Sequence, residues 1–345
     1  MPDWSATGGG GRELDETSGG RRAGSPLSDA LETLLAGVRA GQPRAVGRLV
    51  TLIENSSPAL PQIMAGLART PGHAYVVGVT GPPGAGKSTT TAALVTALRA
   101  RGQRVGVLAV DPTSPFTGGA LLGDRVRMQQ HALDPEVHIR SMATRGHLGG
   151  LAVAAAQSLR VLAAAGCATV VVETVGVGQS EIEVAALADV TVVLWAPGMG
   201  DGVQAAKAGI LEVADLLVVN KADRDGASAL VRELRTATSL AARPQGAWVP
   251  PVLTTVASEG TGMDELLVEL DRFAAHAGTT GEADRRRADR ARREIEGLAV
   301  AALLERWRTV AGARLDELAE QVRDGRTDPY AAAAAWLAAA DGVVG

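Results

Sequence analysis

Cysteine is almost absent: Cys167 is the only one in 345 residues. That excludes an intramolecular disulfide framework and any metal site built from several thiolates. The apolar setting of Cys167 marks it as a small core residue rather than a nucleophile. Aromatic residues are scarce as well, at 3%, and Trp195, Trp248, Trp307 and Trp336 read as core or interface residues, not as a cofactor box. Positive charge is not in excess either. With 34 Lys and Arg against 38 Asp and Glu, the formal net charge is −4, which gives no electrostatic reason to expect nucleic acid or an anionic membrane as partner. No apolar run reaches the roughly 18 residues of a spanning helix; the stretch from Leu151 to Val172 comes closest, and Gln157 and Arg160 interrupt it. The N-terminus has no basic-then-apolar leader pattern, so the expected location is cytoplasmic.

What remains is an ordinary apolar content of 46%, enough for a sizeable core. Residues 1–25 are rich in Gly, Ser, Arg and Asp, and are expected to be a disordered tail. Residues 26–73 read as an N-terminal helical annex: helices around Leu31–Val38 and Val46–Ile53, then a third from Ala59 towards Leu67, with Gly41, Pro43 and Pro58 between them. From residue 74 to 278, β-branched runs alternate with longer amphipathic stretches. Strands are predicted at Val76–Thr80, Val105–Val110, Val137–Arg140, Thr169–Glu173, Thr191–Trp195, Leu216–Asn220 and Pro251–Val256. That alternation means βαβ units: an α/β fold with a mainly parallel sheet, helices on both faces, and ligands beyond the carboxyl ends of the strands. Residues 279–345 read as a C-terminal helical arm. Its first part, Glu282 to Glu296, is a run of Arg, Asp and Glu expected to be a solvated helix face with i,i+4 pairs. Two further helices are predicted at Leu315–Val322 and Asp328–Ala340.

Between the first strand and a helix-competent run lies Gly81-Pro82-Pro83-Gly84-Ala85-Gly86-Lys87-Ser88, followed by Thr89. The spacing G-x-x-x-x-G-K-[ST] in a strand–loop–helix context is a phosphate-binding P-loop. Glycines free successive backbone N–H groups to wrap phosphates at a helix N-terminus, where the dipole favours anions. Lys87 is expected to reach the β- and γ-phosphates, and Ser88 to ligate Mg²⁺. Further on, Asn220-Lys221-Ala222-Asp223 ends a buried-type strand. A carboxylate there accepts hydrogen bonds from N1–H and the exocyclic amine of guanine, two donors that adenine does not present together; such a site discriminates by roughly 10⁴. The nucleotide expected is therefore GTP or GDP. Asp111 and Glu173 each close a strand beside the P-loop, placed to hold Mg²⁺ or orient the attacking water. Gly176 follows Glu173 at a spacing that suits a loop whose N–H approaches a γ-phosphate. Ser258 completes the expected nucleotide contacts.

Several motifs in order make a resemblance specific. They are Asp111 through Met128 (including Asp124 and Arg127), Ile139 through Gly150, Val172 through Glu181, Pro197-Gly198-Met199-Gly200-Asp201 with Gln204 and Lys207, and Asn220 through Asp223. Together they resemble the ArgK/MeaB-type P-loop GTPases, the G-protein chaperones of adenosylcobalamin-dependent acyl-CoA mutases such as methylmalonyl-CoA mutase. The likeness spans about residues 28–340. It implies a GTP-hydrolysing homodimer whose C-terminal arm dimerises, and which gates cofactor loading and protects or reactivates the mutase. It also implies Mg²⁺ ligation by Ser88, Asp111, Asp124 and Glu173, guanine recognition by Asn220, Lys221 and Asp223, and an additional switch from Pro197 to Lys207. Lys87, Asp111, Glu173 and Lys207 are the expected catalytic residues. No kinase-type catalytic loop accompanies these motifs, so the transport-system-kinase label of some relatives is discounted. Two other readings stand beside this one. A metal-delivery GTPase would need Cys or His ligands at characteristic spacing, and His73, His131, His138, His147 and His276 with Cys167 form no such cluster. A GTP-regulated scaffold would bind GTP and scarcely hydrolyse it.

Overall fold

The computed structural model describes residues 26–68, 73–112, 128–144, 150–174, 180–199, 211–240, 244 and 246–341. Seven strands form one parallel sheet in the order β3-β2-β4-β1-β5-β6-β7. They are β1 (Tyr75–Thr80), β2 (Val105–Pro112), β3 (Val137–Thr144), β4 (Thr169–Thr174), β5 (Val190–Trp195), β6 (Leu216–Asn220) and β7 (Val252–Thr255). Each coincides, within a few residues, with a run predicted as strand. β4, β5 and β6 are buried at every position, as parallel strands covered on both faces must be. The central β1 lies between β4 and β5, in register Val77↔Val171 and Val79↔Val192. From β1 the chain crosses over β4 to reach β2, and it later crosses back over β1 to reach β5. The carboxyl end of β1 therefore sits at a topological switch point, the crevice where such sheets bind ligands.

Helices cover both faces. α4 (Lys87–Ala100) and α8 (Met263–Thr279) press Leu94, Leu98, Leu266 and Phe273 onto Val77, Val79, Val107 and Val192. The opposite face carries α5 (Gly150–Ala164), α6 (Ser180–Leu187) and, over β5 and β6, α7 (Ala227–Leu240). The N-terminal helices α1 (Pro26–Arg39), α2 (Pro43–Glu54) and α3 (Leu60–Leu67) join that second core, where Val38, Leu49, Ile53 and Ile63 pack with Leu108, Val110 and Leu162. Pro43 sits at the first helical position of α2, where its missing N–H costs nothing.

The C-terminal region differs from its sequence-based expectation in two ways. The predicted helix Leu315–Val322 is joined to the one before it rather than set apart by a loop: α9, Glu282–Arg323, is two helical stretches that meet at a kink at Ala311 (φ −130°, ψ 23°), and the second contains that run. Ala311 precedes Gly312, whose flexibility lowers the cost of the bend. α10 (Pro329–Asp341) folds back on α9; Trp336 Nε1 donates to the Ala311 carbonyl at 2.9 Å, and its ring meets Trp307 edge-on at 5.9 Å. The charged run Glu282–Glu296 is also more than a solvated face. It has pairs such as Arg286–Glu282 at i,i+4 and Arg285–Glu282 at i,i+3. Arg286 and Arg290 nevertheless turn inward to buried carboxylates of the sheet, and Glu294 receives a bidentate contact from Arg160 of α5 at 2.6 and 3.3 Å. The run fastens the arm to the sheet.

Candidate functional site

The P-loop takes its shape from three glycines with positive φ: Gly81 (138°), Gly84 (81°) and Gly86 (93°). A Cβ on Gly81 would lie 2.3 Å from the Leu194 carbonyl oxygen, so the loop leaves β1 hard against β5. Gly86 is the residue before α4, and a Cβ there would lie 2.3 Å from Asn220 Nδ2. Only glycine meets both demands. Lys87 opens the helix, is 7% exposed, and curls back over the loop, its Nζ donating to the Gly81 carbonyl at 2.7 Å and the Pro82 carbonyl at 3.1 Å. Pro82 is half-buried, while Pro83, Gly84 and Thr89 face outward and Ala85 is buried against the core. The amino end of α4 and the Lys87 ammonium thus meet at the loop, an arrangement suited to a polyphosphate.

At the end of β4, next to β1, Glu173 is 2% exposed and accepts a hydrogen bond from Ser88 Oγ at 2.6 Å. Thr80 and Thr174, at the ends of the same two strands, meet through their hydroxyls at 3.2 Å. A buried hydroxyl and a buried carboxylate side by side are hard oxygen donors of the kind Mg²⁺ takes, so the residues present fit that ion. Asp111 stands at the carboxyl end of β2, one position past the Val110↔Thr174 pair. Asp124, Gly176 and Lys207 lie outside the described residues.

The second loop is joined to the first. Asn220, 2% exposed at the end of β6, donates from Nδ2 to the Ala85 carbonyl at 2.9 Å. Its Oδ1 accepts from the Ala257 N–H at 3.1 Å and from Thr255 Oγ1 at 3.2 Å. Lys221 adopts a left-handed backbone (φ 56°) and places its Nζ 2.7 Å from the Gly84 carbonyl. Asp223 and Ser258 are exposed at the mouth. The three loops after β1, β6 and β7 are therefore welded by one amide. Thr255 and Ala257 were missed from the sequence. The signal was available, since an Asn that ends a buried strand needs partners from the strand beside it.

A second polar cluster sits at the opposite, amino end of the sheet. Asp189, just before β5, accepts from the Val76 N–H at 2.9 Å and from Arg290 at 3.0 Å. Asp215, just before β6, accepts from the Thr191 N–H at 2.8 Å and from Arg286 at 2.6 and 2.9 Å. Burial pushes the Asp215 carboxyl up from its usual value, against the pull of Arg286 and the Thr191 N–H. This cluster is structural and lies away from the loops. Cys167 is buried, with its thiol pushed up to about 12 by that burial, so it is not a thiolate at neutral pH. Among the described residues, no three His, Cys, Asp or Glu side chains form a group able to hold a metal ion.

Residues 46–311 match the family described as methylmalonyl-CoA mutase-associated GTPase MeaB. A putative GTPase of Pyrococcus abyssi is 45% identical over 309 residues, which cover 88% of this chain and 94% of that protein. The GTPase ArgK of Escherichia coli is 42% identical over 236 residues, covering 66% of this chain and 71% of its own length. Among solved structures, one described as a LAO/AO transport system kinase superposes with a TM-score of 0.63 at 27% identity, covering 89% of this chain and 96% of that one. The linked loops around a P-loop and the match over most of its length agree: the chain is a P-loop GTPase and belongs to the MeaB family of methylmalonyl-CoA mutase-associated GTPases.

Proposed function

We propose that this protein binds and hydrolyses GTP in order to gate cofactor loading into an adenosylcobalamin-dependent acyl-CoA mutase of the methylmalonyl-CoA mutase type, and to protect or reactivate that mutase. The family match over residues 46–311 is the observation that carries the reading. The site geometry supports the assignment of roles. Lys87 folds back over the start of the loop, onto the Gly81 and Pro82 carbonyls, and would meet the β- and γ-phosphates. Ser88 and Glu173, joined at 2.6 Å, with Asp111 and Asp124, would hold Mg²⁺, which supplies neutralisation of phosphate charge when bound. Asn220 holds the base loop against the P-loop, and Asp223 would read the guanine edge with Lys221 and Ser258 beside it. Gly176 would approach the γ-phosphate.

Phosphoryl transfer to water depends on positioning and on stabilising charge spread over the γ-phosphate oxygens. Lys87 is the cation that the P-loop offers for this. Hydrolysis by the isolated protein is therefore expected to be slow, with a further cation brought in when the mutase rearranges the switch that ends at Lys207. Residues 279–345 would form the arm of a homodimer. Beyond Ile295 the arm exposes Leu298, Val300, Leu303, Val310 and Leu315, apolar side chains that a dimer interface would cover.

Single-turnover hydrolysis of GTP, with and without candidate cobalamin-dependent mutases captured by pull-down, tests the reading. The expected result is stable capture and acceleration of roughly 10³ or less for the wild type, lost in Lys207→Ala. Equal acceleration of both proteins removes Lys207 from the chemistry. No capture and no acceleration by any such mutase would overturn the chaperone reading, leaving a scaffold that binds GTP.

A further inference from the structure

A cavity of about 250 Å³ lies at the amino end of the sheet, the far end of β1 from the P-loop. Two of its walls are helices: α5 lines it through Arg160 and Ala163, and α9 through Arg287, Ala291 and Glu294. The spacing i, i+4 and i+7 puts the three α9 residues on one face of that helix. Both helices offer alanine methyls to the space, while the longer Arg160 and Glu294 bridge the two helices at 2.6 and 3.3 Å. The long pair spaces the helices and the short side chains leave the gap unfilled. Leu67 of α3, Val76 of β1 and Leu159 of α5 give the cavity an apolar lining.

The arginines of the lining are not equally occupied. Arg160 is balanced by Glu294, whose side chain is 9% exposed. Arg290 is spent on Asp189 and the Leu187 carbonyl. Arg287 has a weaker tie, a 3.5 Å contact from Nη1 to Asp284, which is 86% exposed and screened by solvent. Arg287 Nε is buried and has no hydrogen-bond partner among the described residues. A buried N–H without an acceptor is rare in folded proteins and calls for one. With Nη1 turned to Asp284, the Nε and Nη2 edge remains, and two parallel N–H groups match the two oxygens of a carboxylate.

We propose that this cavity binds a small aliphatic monocarboxylate, its carboxylate on Arg287 and its chain against Leu67, Val76 and Leu159. One uncompensated guanidinium suits a monoanion. A phosphate, doubly charged at neutral pH, would set its extra charge against the buried Glu294. The volume lies below the roughly 300–1,000 Å³ of pockets for drug-sized ligands, so the chain is a few carbons long. Because the lining comes from α3, β1, α5 and α9, an occupied cavity ties the N-terminal helices, the sheet and the arm together.

Calorimetric titration of the full-length protein, in chloride buffer with saturating GDP, tests the proposal with butanoate, hexanoate, 1-butanol and inorganic phosphate as probes. One of the carboxylates should bind saturably, at least about tenfold more tightly than 1-butanol or phosphate, because only it makes the charge-assisted pair and fills the apolar lining. It should also raise the melting temperature as its concentration rises. Arg287 is 41% exposed, so Arg287→Gln removes the guanidinium without opening the core, and should weaken carboxylate binding at least about tenfold. Ala291→Leu fills the gap from the α9 side and should abolish it. Both variants should keep GDP affinity within about twofold of wild type, since neither residue belongs to the nucleotide loops. No saturation by about 10 mM of either carboxylate, equal binding of 1-butanol or phosphate, or unchanged affinity in Arg287→Gln would each overturn the proposal. So would displacement of GDP by the carboxylate, which would place the ligand in the nucleotide site. Failure of GDP itself to bind the wild type would instead overturn the GTPase site assignment and leave the carboxylate titration to be judged by itself.

Discussion

Gly86 carries two constraints that substitutions can separate. Its φ of 93° is strained for any side chain, and a Cβ would press on Asn220 Nδ2 at 2.3 Å. Gly84 shares the first constraint (φ 81°) but has open space where a Cβ would go. Gly84→Ala should therefore cost about 1–2 kcal/mol of backbone strain, while Gly86→Ala should cost more, and should also break the bond from Asn220 to Ala85 that joins base loop to phosphate loop. GTP affinity in Gly86→Ala is expected to fall at least about tenfold below that of Gly84→Ala. Isothermal titration of both variants checks it, and equal losses would mean that the Asn220 weld does not matter for binding. Base choice is tested at Asp223. Asp223→Asn replaces an acceptor with a donor facing guanine's own donors, so GTP should bind at least about tenfold more weakly and xanthosine triphosphate relatively better. Competition by ATP equal to that by GTP in the wild type would refute the guanine assignment. At this scale the sequence was most legible, because positive φ, phosphate approach and a strand-end carboxylate each restrict the residue types allowed. The partners of Asn220 were less legible, since Thr255 and Ala257 reach it only through the pairing of β6 with β7.

Among the elements, the strands could be read because parallel strands buried on both faces have no polar alternation to obscure them. α9 could not be read whole. Its first turns point arginines inward and its later turns point apolar residues outward, so no single apolar stripe runs along it and periodicity gives no continuous signal. The inward arginines have measurable consequences. Asp215 is 9% exposed and receives two hydrogen bonds from Arg286. Removing one partner of such a buried pair strands the other charge, so Arg286→Ala should destabilise by about 3–5 kcal/mol. Arg285, its neighbour, pairs with Glu282 at the surface and is 63% exposed, and Arg285→Ala should cost less than about 1 kcal/mol. Denaturant unfolding of the two variants gives the comparison. Similar midpoints would show that the arm is not fastened by its charges.

For the whole molecule, the question is what covers the arm. Ile295, Leu298 and Leu303 are 67%, 43% and 46% exposed on a helix that leaves the body of the protein. α10 already packs on that helix through Trp336 and Trp307, so this surface is what remains after the arm has folded on itself. No sequence pattern could identify an occupant, because the residues that would complete such a surface lie on another chain. A second copy would complete it with matching helices about a two-fold axis. Replacing Leu298 and Leu303 by Asp puts two charges into any such contact and two solvated carboxylates onto a monomer. The wild type is therefore expected to sediment as a dimer at micromolar concentration and the Leu298→Asp, Leu303→Asp variant as a monomer. GDP affinity should stay within about twofold, since the nucleotide loops lie at the carboxyl ends of the strands and the arm is fastened at their amino ends. A wild type that sediments as a monomer, or a variant that remains a dimer, would remove the arm from the interface.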